Sequence, residues 1–242
     1  MCYNKAMFTV SVAMAAYNGG KNIRRQIDSI LPQLKENDEL VISLNPSTDN
    51  TEEIIRSYQD ERIRLFYCEE KGILANFENA IAHTEKDIIF LSDQDDIWHL
   101  DKIGTVLNRF QDESITAVCH KRHMVDQDLN AIDDPLMEKQ KERCITPSEI
   151  LKQNMVQGSC LAFRNSLKAM ILPIPRSLPM HDSWIGYLAS SSGKLLFIED
   201  ELIDYVRHED NASPLTHQKL SKAVRDRVTL YREAKKRLKQ KH

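Results

Sequence analysis

The sequence from Ile88 to Asp96 reads IIFLSDQDD, an apolar run followed at once by a cluster of acids. Residues 88–92 predict a buried strand, and the three carboxylates follow its carboxyl end. Carboxylates crowded into one loop repel one another, so the arrangement is favourable only where a cation or a proton relieves the repulsion. The stretch therefore predicts a divalent-cation site at the end of a strand.

Short apolar runs alternate with helix-like segments ahead of this acid loop. The pattern predicts strands at 8–15, 40–44, 63–67 and 88–92, with helices at 22–34, after Asp49 or Asn50, and at 73–83. Repeated strand–helix units are typical of a parallel sheet covered by helices. In such sheets ligands bind beyond the carboxyl ends of the strands, which is where the acid loop lies.

The second half of the chain has a less regular pattern. It predicts strands at 116–120, 157–163, 195–198 and 202–206, helices at 148–155 and 182–189, and a long loop or insertion at 126–147. No internal repeat or low-complexity linker divides the sequence. The chain is therefore expected to form one compact domain.

Composition narrows the functional class. The 242 residues are 41% hydrophobic and 29% charged, with a formal charge of -3, which is ordinary for a globular protein and gives no reason to expect nucleic-acid binding. The five cysteines are scattered and never spaced as Cys-x-x-Cys, so we expect reduced thiols and a cytoplasmic location. No run of 18 apolar residues and no signal-peptide core occur, so no membrane-spanning segment is expected.

The C-terminal tail is strongly basic. Residues 219–242 contain ten Lys or Arg against two acids, a net of +8, which leaves about -11 on the rest of the chain. Apolar residues recur there at helical spacing, at Leu220, Val224, Val228, Tyr231, Ala234 and Leu238. Such a helix can lie on an anionic membrane, or it can pack on the domain with its basic face in solvent. Both readings remain open.

Six motifs in a fixed order resemble the family 2 glycosyltransferases of GT-A fold, especially the bacterial rhamnosyl- and galactosyl-type enzymes that build surface polysaccharides. Together they span about residues 8 to 210. The motifs are Val12 to Gly19, Ser47 to Thr51, Gly72 with Asn76-Phe77, Phe90 to Trp98, Met180 to Trp184, and Arg207-His208.

The resemblance implies an α/β fold with a mostly parallel central sheet flanked by helices. It places a GT-A domain at 1–217, with a nucleotide-binding half at about 1–110 and an acceptor-binding half at about 111–217, followed by the basic helix at 218–242. The implied activity is that of an inverting, metal-dependent hexosyltransferase. It would move a sugar from a UDP- or dTDP-sugar to a lipid-linked glycan of a capsule or O-antigen, at the inner face of the membrane.

The family motifs also imply roles for individual residues. The resemblance implies that the nucleotide-sugar donor is bound by residues at the strand ends and at the start of one helix: Ala15, Tyr17, Asn18, Asn45, Lys71, Asn76, Asp93 and Gln94. Asp95, His208 and Asp93 are the implied ligands of a manganese or magnesium ion, since oxygen and imidazole ligands suit these metals. Asp96 is either a further acid of the site or an acid at the start of the next helix.

Acceptor chemistry is implied for the motif around residue 182. A base must take the proton of the attacking hydroxyl, and Asp182 occupies the family's base position. The alternative role for Asp182 is to cap its helix. His181, Trp184 and Trp98 are implied to contact the acceptor, with a core tryptophan as the rival reading of Trp184.

One departure from the family pattern concerns the nucleotide. Relatives usually carry acids after the second strand, and one of them accepts a hydrogen bond from the base, whereas this chain has Asn45 there. The neutral amide binds less strongly. A catalytically impaired sugar-nucleotide-binding relative thus stays open. A second alternative, a phosphatase of haloacid-dehalogenase type, normally places its Asp-x-Asp after the first strand rather than the fourth.

Overall fold

The computed structural model describes residues 7–208 and 220–240. Its first half alternates strands with helices as the periodicity predicts. The strands are β1 (Val10–Ala16), β2 (Glu39–Leu44), β3 (Ile63–Tyr67) and β4 (Ile88–Ser92), and the helices are α1 (Ile23–Ile30), α2 (Thr51–Arg56) and α3 (Ile73–Ala82).

The second half adds five strands and six helices within the described residues. In chain order these are β5 (Ile97–Trp98), α4 (Lys102–Arg109), β6 (Ile115–Val125), α5 (Pro135–Glu138), β7 (Arg143–Ile145), α6 (Pro147–Lys152), β8 (Leu161–Arg164), α7 (Lys168–Ile171), α8 (His181–Ser192), β9 (Lys194–Val206) and α9 (Leu220–Lys239). The prediction of a long loop or insertion at 126–147 is wrong, because α5 and β7 form within this segment and β7 pairs with β9.

The strands form one mixed sheet in the order β3-β2-β1-β4-β8-β6-β9-β5 across the described part of the chain, with β7 also on β9. The strands β1 to β4 pair in parallel, which confirms the predicted first half. Strand β8 runs antiparallel to both β4 and β6. Strand β4 lies between β1 and β8 with residues 88–91 fully buried, as its unbroken apolar run requires.

Strand β9 replaces two predicted strands. The sequence suggests a break between 198 and 202, but the backbone continues because β6 pairs with it from Ile115 to Val125, with register shifts near His120 and Lys121. Such irregularities bend a strand without ending it. The long pair β6–β9 carries His208 to the same end of the sheet as the acid loop.

Helix α9 packs on the domain through its second half. Leu230 and Ala234 are buried there. The guanidinium of Arg237 donates to the carbonyls of Met170, Leu172 and Pro173 at 2.6, 2.9 and 2.7 Å, and it lies 5.2 Å from the Trp184 ring. The C-terminal helix is thus attached to the loop that leads into α8. None of the described helices is long and apolar enough to cross a membrane.

Candidate active site

A cavity of about 700 Å³ opens at the carboxyl ends of β1, β2 and β4. This volume lies in the usual range for a small-molecule site. Every residue expected to bind the donor or the metal lines it, and so do His181 and Asp182: the set is Ala15, Tyr17, Asn18, Asn45, Lys71, Asn76, Asp93, Gln94, Asp95, His181, Asp182 and His208. The fold therefore brings together residues that lie far apart in the sequence.

The loop after β1 is tied to the turn after β2 by backbone N–H groups. Asn18 donates to Ser47 Oγ at 3.0 Å, and Gly19 donates to Thr51 Oγ1 at 2.8 Å. Asn18 has a φ of 44°, a left-handed conformation that asparagine tolerates, and its Oδ1 accepts the Thr48 N–H at 2.9 Å. Asn18 thus shapes this edge of the cavity through the backbone.

Gln94 joins the acid loop to the loop after β1. Its Oε1 accepts the Tyr17 N–H at 2.9 Å, and its Nε2 donates to the Tyr17 carbonyl at 2.8 Å. A Cβ at Gly19 would lie 2.1 Å from Gln94 Oε1, so only glycine leaves room for this pairing. Both ends of the amide bond to the backbone, so Gln94 positions this loop, and its contact with the donor stays a prediction.

Asn45 closes a different loop over the cavity. Its Nδ2 donates to the carbonyls of Cys68 and Glu70 at 2.7 and 3.0 Å, and its Oδ1 accepts the Gly72 N–H at 3.2 Å. The two carbonyls fix the amide orientation, and a carboxylate there would face them with no proton to give. These bonds give Asn45 a role in holding residues 68–72, and its contact with the nucleotide base stays a prediction.

The acid loop and His208 meet at the cavity floor. His208 Nε2 lies 2.8 Å from Asp95 Oδ2, and both side chains are largely buried. Burial, and then the charges of Asp95 and Asp182, raise the pKa of Asp93 to about 7. A cation bound here would relieve the repulsion between these carboxylates.

A divalent cation needs more ligands than the described part of the chain offers by itself. No three His, Cys, Asp or Glu side chains within residues 7–208 and 220–240 are arranged to hold an ion by themselves. The pair Asp95 and His208, with Asp93 beside them, suits manganese or magnesium bound jointly with phosphate oxygens and water, which is how such ions usually bind with one or two carboxylates. The residues present therefore fit a cation that arrives with a diphosphate.

Asp96 does not join this site and does not cap a helix. It is fully buried, and its Oδ1 accepts the Val206 N–H at 3.3 Å, on the side of β9. Helix α4 begins at Lys102, with Asp101 in the capping position. Burial, and then the charges of Asp95 and Asp93, raise the pKa of Asp96 well above its usual range.

Lys102 is a buried cation behind the acid loop that the sequence does not single out. Its ammonium donates to the Ser159 carbonyl at 2.8 Å and lies 3.8 Å from the centre of the Trp98 ring. Burial lowers the pKa of Lys102 to about 7, while the nearby charges of Asp96 and Asp93 oppose that effect. A lysine side chain normally lies in solvent, so only the packed structure reveals this buried position.

The two tryptophans are not acceptor platforms. Trp98 is 2% exposed beneath Lys102, and Trp184 is fully buried with its Nε1 donating to the Ile171 carbonyl at 2.9 Å. Neither residue lines the cavity. The expectation for Trp184 and Trp98 is corrected: both belong to the core, and the rival reading of Trp184 holds.

Asp182 faces the cavity from the first turn of α8. Met180 precedes the helix in the capping position, so Asp182 is not the cap. Its Oδ1 accepts the Ser183 N–H at 2.5 Å and the Asn154 Nδ2 at 3.1 Å. Burial raises the pKa of Asp182 to about 6, and the two hydrogen bonds oppose this rise. A carboxyl with this pKa can accept a proton near neutral pH.

Removing the hydrogen bond from Asn154 should shift the acid limb of the pH profile, which is the pH range in which kcat/KM falls on acidification. In the wild type, kcat/KM should fall below about pH 6 as Asp182 becomes protonated. In Asn154→Leu the carboxylate loses a stabilising donor, so the limb should shift upward by roughly 0.5 to 1 pH unit. A pH profile of kcat/KM measures this, with exposed neighbour Gln153→Leu as control. An unshifted limb in Asn154→Leu would contradict the assignment.

The cavity lining includes residues that are absent from the sequence-based assignment, among them Gln157, Phe77 and Tyr205. Gln157 precedes β8, Phe77 lies on α3, and Tyr205 lies on β9. Phe77 stacks on His181 with ring centres 3.8 Å apart. Phe77 follows the motif residue Asn76 and could have been chosen on that ground. Gln157 and Tyr205 carry no local signal, since only the packing of β8 and β9 turns them inward.

Comparisons with known proteins identify the family of the chain. The family described as "Glycosyl transferase family 2" matches residues 11–169. An uncharacterized glycosyltransferase of Nostoc sp. is 25% identical over 211 residues, covering 84% of this chain and 66% of the relative. The Escherichia coli protein WfgD, named a UDP-Glc:alpha-D-GlcNAc-diphosphoundecaprenol beta-1,3-glucosyltransferase, is 28% identical over 146 residues, covering 60% of this chain and 56% of the relative.

Solved structures show the same fold. Staphylococcus aureus TarS 1-349, determined with UDP-GlcNAc, has a TM-score of 0.70 at 17% identity over 92% of this chain and 66% of that one. The mannosyltransferase PcManGT of Pyrobaculum calidifontis, determined with GDP-Man and Mn2+, has a TM-score of 0.63 at 20% identity over 83% and 56%. The predicted GT-A fold is confirmed. The chain spans under two thirds of the length of these relatives. The match over residues 11–169 shows that the chain belongs to glycosyltransferase family 2.

Proposed function

We propose that this protein is an inverting, metal-dependent hexosyltransferase acting in bacterial surface-polysaccharide synthesis, with a UDP- or dTDP-sugar as donor. The observation that carries the proposal is that one cavity is lined by a carboxylate–imidazole pair, Asp95 with His208, and by a buried carboxyl group, Asp182. Family 2 membership leaves the phosphatase alternative without support.

In the proposed reaction Asp182 takes the proton of an acceptor hydroxyl as that oxygen attacks the anomeric carbon. The bond from the anomeric carbon to the diphosphate breaks, and the electron pair leaves with the diphosphate. Asp95, His208 and Asp93 would hold a manganese or magnesium ion, which supplies positive charge where the leaving group gains negative charge. Attack opposite the leaving group inverts the configuration.

The donor side of the proposal rests on the loops that frame the cavity. Tyr17 is 51% exposed at the mouth and offers an aromatic face, and the exposed Lys71 lies at the start of α3. An exposed ring can cover a nucleotide base, and a lysine can pair with phosphate. Because Tyr17 and Lys71 lie in the first half of the chain, we propose a nucleotide-binding half at about 1–110 and an acceptor-binding half at about 111–217.

The acceptor and the cellular site are inferred from charge and from relatives. WfgD is named for an acceptor on diphosphoundecaprenol, and Bacillus subtilis TuaG for putative teichuronic acid biosynthesis. We therefore place this protein in the cytoplasm, at the inner face of the membrane, with a lipid-linked glycan as acceptor. The first half of α9 supports that placement, because Val224 and Val228 are 49% and 50% exposed among basic residues.

Membrane association predicts a loss of vesicle binding when α9 becomes polar. Val224→Asp with Val228→Asp should abolish co-flotation with phosphatidylglycerol vesicles, since it removes apolar contact and adds negative charge to the helix. Ser221→Asp with Thr229→Asp adds the same charge to the helix without removing those valines and should retain most binding. Equal binding by the valine variant and the wild type would refute the placement.

A thermal-shift panel tests the donor. UDP, dTDP, GDP and their sugars are compared with and without manganese, because a ligand held at about 100 times its Kd stabilises the folded state by about 2.7 kcal/mol. We expect the uridine or thymidine compounds to raise Tm, and to do so more with manganese. No shift from any diphosphate would contradict the proposal, and a shift without transfer to any lipid-linked acceptor would favour the impaired relative.

A further inference from the structure

The inner wall of the cavity carries polar atoms without protein partners. Asn76 Oδ1, Gln157 Oε1 and both ring nitrogens of His181 have no hydrogen-bond partner among the residues that the structure describes. Asn76 and His181 are 3% and 2% exposed, and all three residues line the cavity. An unpaired buried polar atom is unfavourable, so a ligand that pairs these atoms gains affinity by doing so.

Neighbouring groups fix the orientation of these side chains. Asn76 Nδ2 donates to the Ala16 carbonyl at 2.9 Å, which leaves the oxygen at the other end of the amide. Gln157 Nε2 donates to Ser159 Oγ at 3.3 Å, so its oxygen is likewise the remaining group. The unpaired amide atoms are therefore acceptors, and they require a ligand that donates.

His181 is held just as firmly. Its ring stacks on Phe77 at 25° between planes, and a Cβ at Gly158 would lie 2.6 Å from Nε2, so the ring fits only against a glycine. Burial lowers the pKa of His181 to about 3, which keeps the imidazole neutral. A neutral ring has one N–H donor and one acceptor nitrogen, and a hydroxyl group can pair with either.

The charged groups next to this wall are negative. Asp182 adjoins His181, and its charge also acts on Asp93. The lysines that line the cavity, Lys21 and Lys71, are both exposed. An anionic group placed against the wall would thus meet two acceptor oxygens and nearby carboxylates, with no buried arginine or lysine among the described cavity-lining residues.

We propose that Asn76, Gln157 and His181 form a hydroxyl-reading wall that selects an uncharged donor sugar and disfavours a uronic acid. Sugar hydroxyls donate to the oxygens of Asn76 and Gln157, and one hydroxyl pairs with His181. The wall includes the buried side chains of Asn76 and His181, and we assign the donor sugar to it. This inference rests on the proposed function.

Calorimetry on the full chain with manganese tests the wall, using UDP, UDP-glucose, UDP-galactose and UDP-glucuronate, with dTDP and dTDP-glucose alongside. Wild-type protein should bind UDP-glucuronate at least about tenfold more weakly than UDP-glucose or UDP-galactose. Gln157→Leu should weaken binding of the neutral sugar nucleotide by about threefold to tenfold while the Kd of the free diphosphate stays the same. Gln153→Leu, an exposed glutamine outside the cavity, should change neither.

His181→Leu is a second test of the wall. Retained diphosphate binding shows that this variant, at a buried position, is folded. It should also lose affinity only for the sugar nucleotides. Equal binding of glucuronate and glucose by the wild type, or Gln157→Leu matching Gln153→Leu for every ligand, overturns the wall while leaving the proposed function intact. Failure of every diphosphate to bind contradicts the proposed function itself.

Discussion

Asp182→Asn should lower turnover by about 10²–10⁴ while binding of the donor is kept. The amide oxygen can still accept the hydrogen bonds from Ser183 and Asn154, so the start of α8 should keep its structure. An amide cannot take the proton of the attacking hydroxyl near neutral pH. The loss should therefore appear in kcat rather than in the Kd of the sugar nucleotide.

Steady-state transfer and calorimetry on the same preparation separate these effects. Asn154→Leu is the matched comparison, because it removes a partner of the carboxylate and leaves the carboxylate in place. Its rate above the acid limb should stay within about tenfold of the wild type. A fully active Asp182→Asn would rule out this residue as the base and would return it to a structural role in α8.

Asp95→Ala should weaken manganese-dependent binding of nucleotide diphosphates by at least about tenfold. The change removes the oxygen that lies 2.8 Å from His208 Nε2, and with it half of the carboxylate–imidazole pair. Binding in the presence of a chelator should be nearly unchanged, since the loops that hold the nucleoside do not depend on Asp95. Metal dependence is thus lost while metal-free affinity remains.

A manganese titration of diphosphate affinity measures this difference. Asp101→Ala is the control, because it removes an exposed carboxylate outside the cavity at the start of α4. His208→Ala should reproduce the effect of Asp95→Ala. Manganese-dependent binding that survives in both variants would show that the cation is held elsewhere and would reject this pair as its ligands.

The part of the site built on strand ends is predictable from sequence. Asp93 directly follows strand β4, so the apolar run alone places this acid at the carboxyl end of the strand. The same local logic locates Tyr17 after β1 and Asn45 after β2. The position of Asp182 depends instead on the family resemblance, because a carboxylate in the first turn of a helix has no distinctive local pattern.

What sequence could not supply depends on packing between distant segments. Trp184 lies in the same motif as Asp182 and suggests an exposed platform, yet α7 and α9 cover it. Lys102 suggests a solvated helix face, yet its ammonium donates to the carbonyl of Ser159, which is 57 residues away. Asn45 suggests a reader of the base, and its amide also holds loop 68–72. In each case the deciding neighbour is remote in sequence.

The contact between Gly19 and Gln94 links two positions that would otherwise vary independently. Any side chain at 19 would displace the Gln94 carboxamide and break its two bonds with the Tyr17 backbone. A replacement at 19 can be accommodated only together with a shorter residue at 94 and another way to hold the loop. We therefore expect these two positions to change jointly among related sequences, and a combined substitution to be better tolerated than the product of the single effects.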